Sequence, residues 1–290
     1  MQTKSDRQKR MVTVYRPHLR HELGLFSTWK IMLRNIFQAR ELIWQLFKRD
    51  FFGSYKKSFI GVTWIVISPI VGILSWVFLQ KTGMLKPGDS GIPYPAYVLI
   101  GTSMWGLFMG FFNAAKDTLA SGQTLILQVN YPHEALLFMQ TAQHLANFIV
   151  AFAINIIVLL LFGVVPSWKI VFFPLVILPL FFLAAAIGLV VSMVSVLSLD
   201  VDKVVQVILG LTLWITPIIY TEQAGSDLVR TIIAWNPLTY LVCSARDIII
   251  HGTLYHTGGY ILCASLSFLL FVISWRLFYI SEDKIIERMI

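Results

Sequence analysis

From Phe59 to Leu79 the chain runs for 21 residues without one Asp, Glu, Lys or Arg, directly after residues 48–57, which hold five charges. A helix rises 1.5 Å per residue, so about 20 apolar residues cross the roughly 30 Å hydrocarbon core of a bilayer. A soluble fold has little use for so abrupt an edge, whereas a membrane boundary needs one. Five more runs reach or approach that length: residues 94–115, 141–165, 170–199, 204–221 and 257–280. Only the last carries a full charge, Arg276, near its end, where a long side chain can reach the interface. The expected fold is an all-α membrane protein with six transmembrane helices. Pro174 and Pro179 predict an irregular start to the fourth.

Composition agrees. Only 13% of the 290 residues are charged and 57% are hydrophobic, where soluble domains run near 25% charged. The net charge of +8 is concentrated, with 13 of 23 Lys and Arg before Phe59. Such an excess beside a span marks the cytoplasmic side, and no nucleic-acid reader motif accompanies it. With the N-terminus inside, 18 basic residues fall on the inner side and 5 on the outer, so both termini are expected in the cytoplasm. No secretory signal peptide is expected, since the first long apolar run begins only after residue 57. Cys243 and Cys263 are read as small apolar residues, with no disulfide, metal site or cofactor.

Before the first span, Ile36, Phe37, Ile43, Trp44, Phe47, Phe51 and Tyr55 share one arc of a helical wheel. Gln38, Glu41, Gln45, Lys48, Arg49 and Lys56 lie opposite, with Arg40 intruding on the apolar arc. This predicts an amphipathic helix lying in the headgroup plane, with Gly53 at its bend into the first span. Two loops also stand out. The cytoplasmic "KDTLASGQTLILQVNYPHEALLFMQ" holds a helix start at Tyr131-Pro132-His133-Glu134. On the outer side, residues 228–235 and 238–242 are apolar pieces split by Asn236-Pro237, too short to cross. They fit short helices dipping back from the outer face.

The chemistry missing from the chain narrows its function. The first five spans contain no Asp, Glu, Lys or Arg, and an ion-driven carrier usually needs such a group at membrane depth. His144, Asn147 and Asn155 are the strongly polar residues of the third span, and His144 reads as a structural hydrogen bonder. No Lys follows a Gly anywhere, so the G-x-x-x-x-G-K-[ST] phosphate loop is absent. Asp200 and Asp202, between the fourth and fifth spans, form a compact acidic pair and read as turn-shaping rather than catalytic. The Gly106–Gly110 pair in the second span reads as packing within one copy.

Three segments, "LIWQLFKRDFFGSYKKSFIGVTWIVISPIV", "VNYPHEALLFMQ" and "WNPLTYLVCSARDIIIHG", together resemble the membrane subunit of ABC-2 type polysaccharide exporters. That family exports O-antigen, teichoic acid and capsule polymers across the bacterial cytoplasmic (inner) membrane. The resemblance runs from about Ala39 to the C-terminus. It implies six spans, a homodimer, two copies of a separate cytoplasmic ATPase, and a lipid-linked polysaccharide threading between the two membrane subunits. By this resemblance residues 1–35 are an N-terminal extension and 36–57 an interface helix bearing Trp44, Phe47, Lys48, Arg49 and Phe51. Residues 58–282 form the transmembrane domain and 283–290 a cytoplasmic tail. The segment from Gln123 through Asn130, Tyr131, Pro132 and His133 to Glu134 corresponds to a coupling helix that docks on the ATPase. The pieces around Trp235, Asn236 and Pro237 correspond to re-entrant helices at the outer mouth.

A sugar polymer offers C–H faces along which aromatic rings can slide. The rings of Trp64, Tyr97, Trp105, Phe108, Phe112, Trp214 and Tyr220 are the candidates to line such a path, with Trp105, Phe108 and Phe112 on one helical face. Two other readings compete. A drug or lipid exporter of the same fold needs no aromatic channel. A membrane enzyme of lipid-linked glycan assembly needs a carboxylate or His cluster at headgroup level.

Overall fold

The computed structural model describes residues 25–56, 63–119, 133–196, 198–222 and 226–289, and among these every regular element is a helix. In chain order they are α1 (Leu25–Gln38), α2 (Arg40–Lys56), α3 (Trp64–Lys81), α4 (Tyr94–Lys116) and α5 (His133–Leu161). A 3-10 helix (Trp168–Phe172) leads into α6 (Phe173–Val176) and α7 (Leu178–Ser195). Then follow α8 (Leu199–Trp214), α9 (Asp227–Trp235), α10 (Pro237–Ile250) and α11 (Thr257–Met289).

Among the described residues four stretches are long and apolar enough to cross a membrane: Tyr94–Lys116, Ala135–Leu161, Trp168–Ser195 and Thr257–Ser281. The first and fifth expected spans are shorter as helices. In α3 the apolar helical stretch is Ile70–Lys81, and residues 57–62 before it lie outside the described residues. The 16-residue α8 stops because Pro217 has no N–H to continue the ladder and disfavours helical geometry in Thr216. The fourth span starts irregularly, as its prolines predict: Pro174 and Pro179 each sit in the first turn of a new helix, where a missing N–H leaves no bond unmade.

The bundle is built around α7, which packs on α4 and α11. A Cβ added at Gly188 would stand 2.5 Å from the Phe112 carbonyl oxygen and 2.7 Å from Ala115 Cβ. Ala184 and Ala185, one turn before Gly188, are also buried, and small residues at such positions let two backbones approach. Of the expected Gly106–Gly110 pair, Gly110 packs closely on His144 of α5 while Gly106 faces open space. Asn155 donates to Ser103 Oγ at 2.6 Å, tying α5 to α4.

At one end of the bundle α1 seats Met32 and Trp29 in a cluster with Leu137, Leu189, Phe271, Trp275 and Phe278. Trp29 meets Trp275 edge to face, with ring centres 4.8 Å apart. Helix α1 thus runs through the expected boundary at residue 35. Helix α2 buries Leu46, with Ala39, Ile43 and Phe47 around it, against Ala135, Leu136 and Met139 of α5. Leu33, Phe37, Trp44 and Phe52 remain exposed. The single apolar arc drawn from the sequence therefore merges two stripes, one gripping α5 and one facing outward.

Large apolar side chains are exposed along α5 (Ile149, Ile157, Leu160), α8 (Val204, Val207, Ile208, Leu211) and α11 (Leu262, Leu266, Leu269, Ile273). Soluble monomers rarely expose apolar patches of that extent. These faces suit lipid or another apolar surface.

Candidate functional site

Past Trp214 the chain leaves the helix, yet Thr216, Ile218 and Ile219 are buried. Buried carbonyls outside a helix need donors from elsewhere. Two other elements supply them. From α4, the Tyr94 hydroxyl donates to the Ile219 carbonyl at 2.9 Å. The Tyr97 hydroxyl lies 3.0 Å from the Tyr220 carbonyl and 3.3 Å from that of Pro217. From α10, Arg246 Nη1 donates to the same Pro217 carbonyl at 3.1 Å. The segment's far end is held as well, since the Thr221 N–H and hydroxyl both donate to the Pro87 carbonyl, at 2.7 and 3.0 Å.

Arg246 is only 7% exposed. Its Nε lies 3.3 Å from Asp247 Oδ1, and its guanidinium sits over the Tyr97 ring, 4.2 Å from the centroid. A buried charge is tolerable when it is paired and hydrogen-bonded. A planar guanidinium can stack on a ring and donate at its edge together, which an ammonium cannot. Gly101 completes the fit, because a Cβ there would stand 2.6 Å from the Ile218 carbonyl oxygen.

The hairpin of α9 and α10 is pinned to this knot by Asn236. Its Oδ1 caps α10 by accepting from Leu238 N–H at 3.0 Å, and Pro237 occupies the first turn. Its Nδ2 donates to Thr216 Oγ1 at 2.8 Å. Beside it Trp235 is 85% exposed. Helix α10 ends just before Gly252, whose φ of +68° places it in the left-handed region beside Ser167. The Tyr255 hydroxyl then donates to Glu222. Burial first, and this carboxylate second, push the Tyr255 phenol above its ordinary range.

The remaining expected site residues fall in different places. Phe108 and Phe112 are fully buried and Tyr97 nearly so, all within the core of the single chain. Trp105 is half-buried against Phe108, ring centres 5.4 Å apart. Trp64 and Trp214 are exposed, and Trp214 meets Trp76 edge to face at 5.9 Å. Tyr220 is half-buried, its hydroxyl on the Trp214 carbonyl. On α2, the rings of Trp44, Phe47 and Phe51 stack in sequence, each pair 5.5 Å apart. Lys48 lies over Trp44 and Arg49 pairs with Asp50 at 2.7 Å. His133 and Glu134 open α5; Gln123, Asn130, Tyr131 and Pro132 lie outside the described residues.

Asp200 and Asp202 fall in the first turn of α8, where carboxylates favour the helix dipole. Asp202 also pairs with Lys116 at 3.2 Å. Cys243 and Cys263 are free and buried. Among the described residues no His, Cys, Asp and Glu side chains converge as a metal site. Arg246 is the residue the sequence reading missed, taken there as one more outer-loop charge. Its signal was available: an adjacent Arg-Asp pair within the otherwise charge-free stretch "LVCSARDIII".

These features define a helical membrane protein in which the segment after an apolar helix is tied to a helical hairpin. The sequence pattern of the ABC-2 type transporter matches residues 41–250, and the chain belongs to that membrane family. It is 24% identical over 220 residues to the O-antigen export system permease protein RfbA of Myxococcus xanthus, covering 75% of this chain and 83% of that one. A Klebsiella pneumoniae permease of the same description is 22% identical over 225 residues, covering 77% and 85%. The protein is thus an ABC-2 permease homologous to O-antigen export permeases. Its homologues are transport permeases, not enzymes.

Proposed function

We propose that the chain is one half of a bacterial exporter that passes lipid-linked polysaccharide across the cytoplasmic membrane, driven by ATP hydrolysis in a separate subunit. The observation that carries this reading is the kinship to O-antigen export permeases over three quarters of the chain. The absence of Asp, Glu, Lys and Arg from the first five apolar runs supports it, because ion coupling then has nothing to act on.

In this reading α3 and α8 complete a set of six spans, both termini face the cytoplasm, and the α9–α10 hairpin re-enters from the outer side. A second copy covers the apolar faces around Trp64 and Trp214, and the glycan passes between the copies. The rings available to line that path are then Trp64, Trp105, Trp214 and Tyr220, since Tyr97, Phe108 and Phe112 are committed to the protomer core. Helix α2 and residues 123–134 face two ATPase subunits.

The test is co-purification with the ATPase in nanodiscs, followed by addition of lipid-linked polysaccharide. Hydrolysis that rises with the glycan upholds the reading. Hydrolysis that responds to small hydrophobic drugs and never to glycans overturns it.

A further inference from the structure

At the hairpin end, between the loop before α4, the segment after α8 and the end of α10, lies a cavity of about 180 Å³. Asp89, Ser90, Glu222, Arg246, Asp247 and Tyr255 are among its lining residues. The volume falls below the ~300–1,000 Å³ of pockets for drug-sized ligands. It suits one sugar ring with its hydroxyls, not a lipid tail.

The charge balance of the lining selects among sugars. Three carboxylates, from Asp89, Glu222 and Asp247, line it beside one guanidinium, so acidic side chains outnumber the arginine. That guanidinium is already engaged by Asp247, the Pro217 carbonyl and the Tyr97 ring. What the cavity offers is therefore mostly acceptors: carboxylate oxygens and hydroxyls. The hydroxyls of a neutral sugar are donors that match them. A phosphate or uronate brings only further acceptors at that position, and a negative charge that the carboxylates repel. The Tyr255 ring adds apolar contact for C–H groups. A metal ion is a poor fit, since no metal-binding cluster forms among the described residues.

We propose that this cavity is a sugar subsite at the hairpin end that holds one uncharged unit of the passing polymer and disfavours phosphorylated or acidic units. The proposal rests on the export reading and sharpens it: the cargo backbone is neutral at the unit the site grips.

The test uses the permease–ATPase complex in nanodiscs with Ser90→Cys, labelled by a membrane-impermeant maleimide. Both native cysteines of this chain are buried, and labelling is read on the permease after the subunits are separated. The probes are maltoheptaose and an oligogalacturonate of matched length, at equal ionic strength. A titration of maltoheptaose is expected to slow labelling by about threefold or more through occupancy of the site, with the oligogalacturonate without effect. Ser226→Cys, exposed at the start of α9 and outside the lining, is expected to label at the same rate throughout. Asp89→Lys is expected to abolish the maltoheptaose effect. An oligogalacturonate that protects as well as maltoheptaose overturns the charge selection, and equal protection at both thiols overturns the subsite. The two readings fail separately. If hydrolysis by the unmodified complex ignores lipid-linked polysaccharide, the export reading falls. If hydrolysis responds while neither probe slows labelling at Ser90→Cys, the subsite falls alone.

Discussion

Arg246 and Tyr97, on different helices, both donate to the Pro217 carbonyl, and the guanidinium of the first lies 4.2 Å from the ring centre of the second. Neither residue reaches solvent to any extent. One helix end is thus held by a charge and a phenol that also hold each other.

Arg246→Gln is expected to lower the stability of the purified permease by about 2 kcal/mol or more, through a lost charged donor and a lost ring contact. Tyr97→Phe keeps the ring and loses only the hydroxyl, so about 1 kcal/mol is expected. Thermal unfolding of the single and double variants in one detergent checks both. Because the residues share a partner, the double variant should differ from the sum by more than about 0.5 kcal/mol.

Gly101 and Gly106, five residues apart on α4, should respond oppositely to alanine. At Gly101 the new methyl meets the Ile218 carbonyl oxygen at 2.6 Å, so Gly101→Ala should destabilise by about 1–3 kcal/mol, in the range of overpacking. At Gly106 nothing lies within 4 Å, and Gly106→Ala should be neutral or stabilise by ~0.5–1 kcal/mol. The same melting experiment decides.

Trp29→Ala should loosen α1 without unfolding the bundle. The edge-to-face contact with Trp275 is lost, at about 1 kcal/mol beyond the buried area. Limited trypsinolysis should then cut faster after Lys30 and Arg34, while the fragment from α4 to α11 persists at the unmodified rate.

Exposed and buried rings should separate by phenotype. Trp214→Ala, at an exposed position, should fold within about 1 kcal/mol of the parent while surface polysaccharide falls. Phe108→Ala, in the fully buried core, should cost ~3–5 kcal/mol and reduce the amount of protein in the membrane. Quantifying membrane protein beside exported glycan distinguishes them.

The long apolar runs were legible because length and lack of charge are local properties. The interruptions at Pro174, Pro179 and Asn236-Pro237 were legible because proline acts on its own backbone. What the sequence concealed is partnership. Nothing local says that Tyr97 spends its hydroxyl on the Pro217 and Tyr220 carbonyls, more than a hundred residues away. Nor does the wheel of α2 disclose that Leu46 is its deepest residue, because periodicity finds an apolar face but cannot say which of two surfaces will meet it.

The unwound stretch beyond Trp214 also constrains how this end of the molecule can move. Its Pro217, Ile219 and Tyr220 carbonyls take their donors from α4 and α10. Pulling one helix away would leave those carbonyls without their donors, at about 1–3 kcal/mol apiece. Displacement there is accordingly concerted: the second apolar helix, the frayed tip and the hairpin travel as a single block, and any aperture must form along that block's outer boundary.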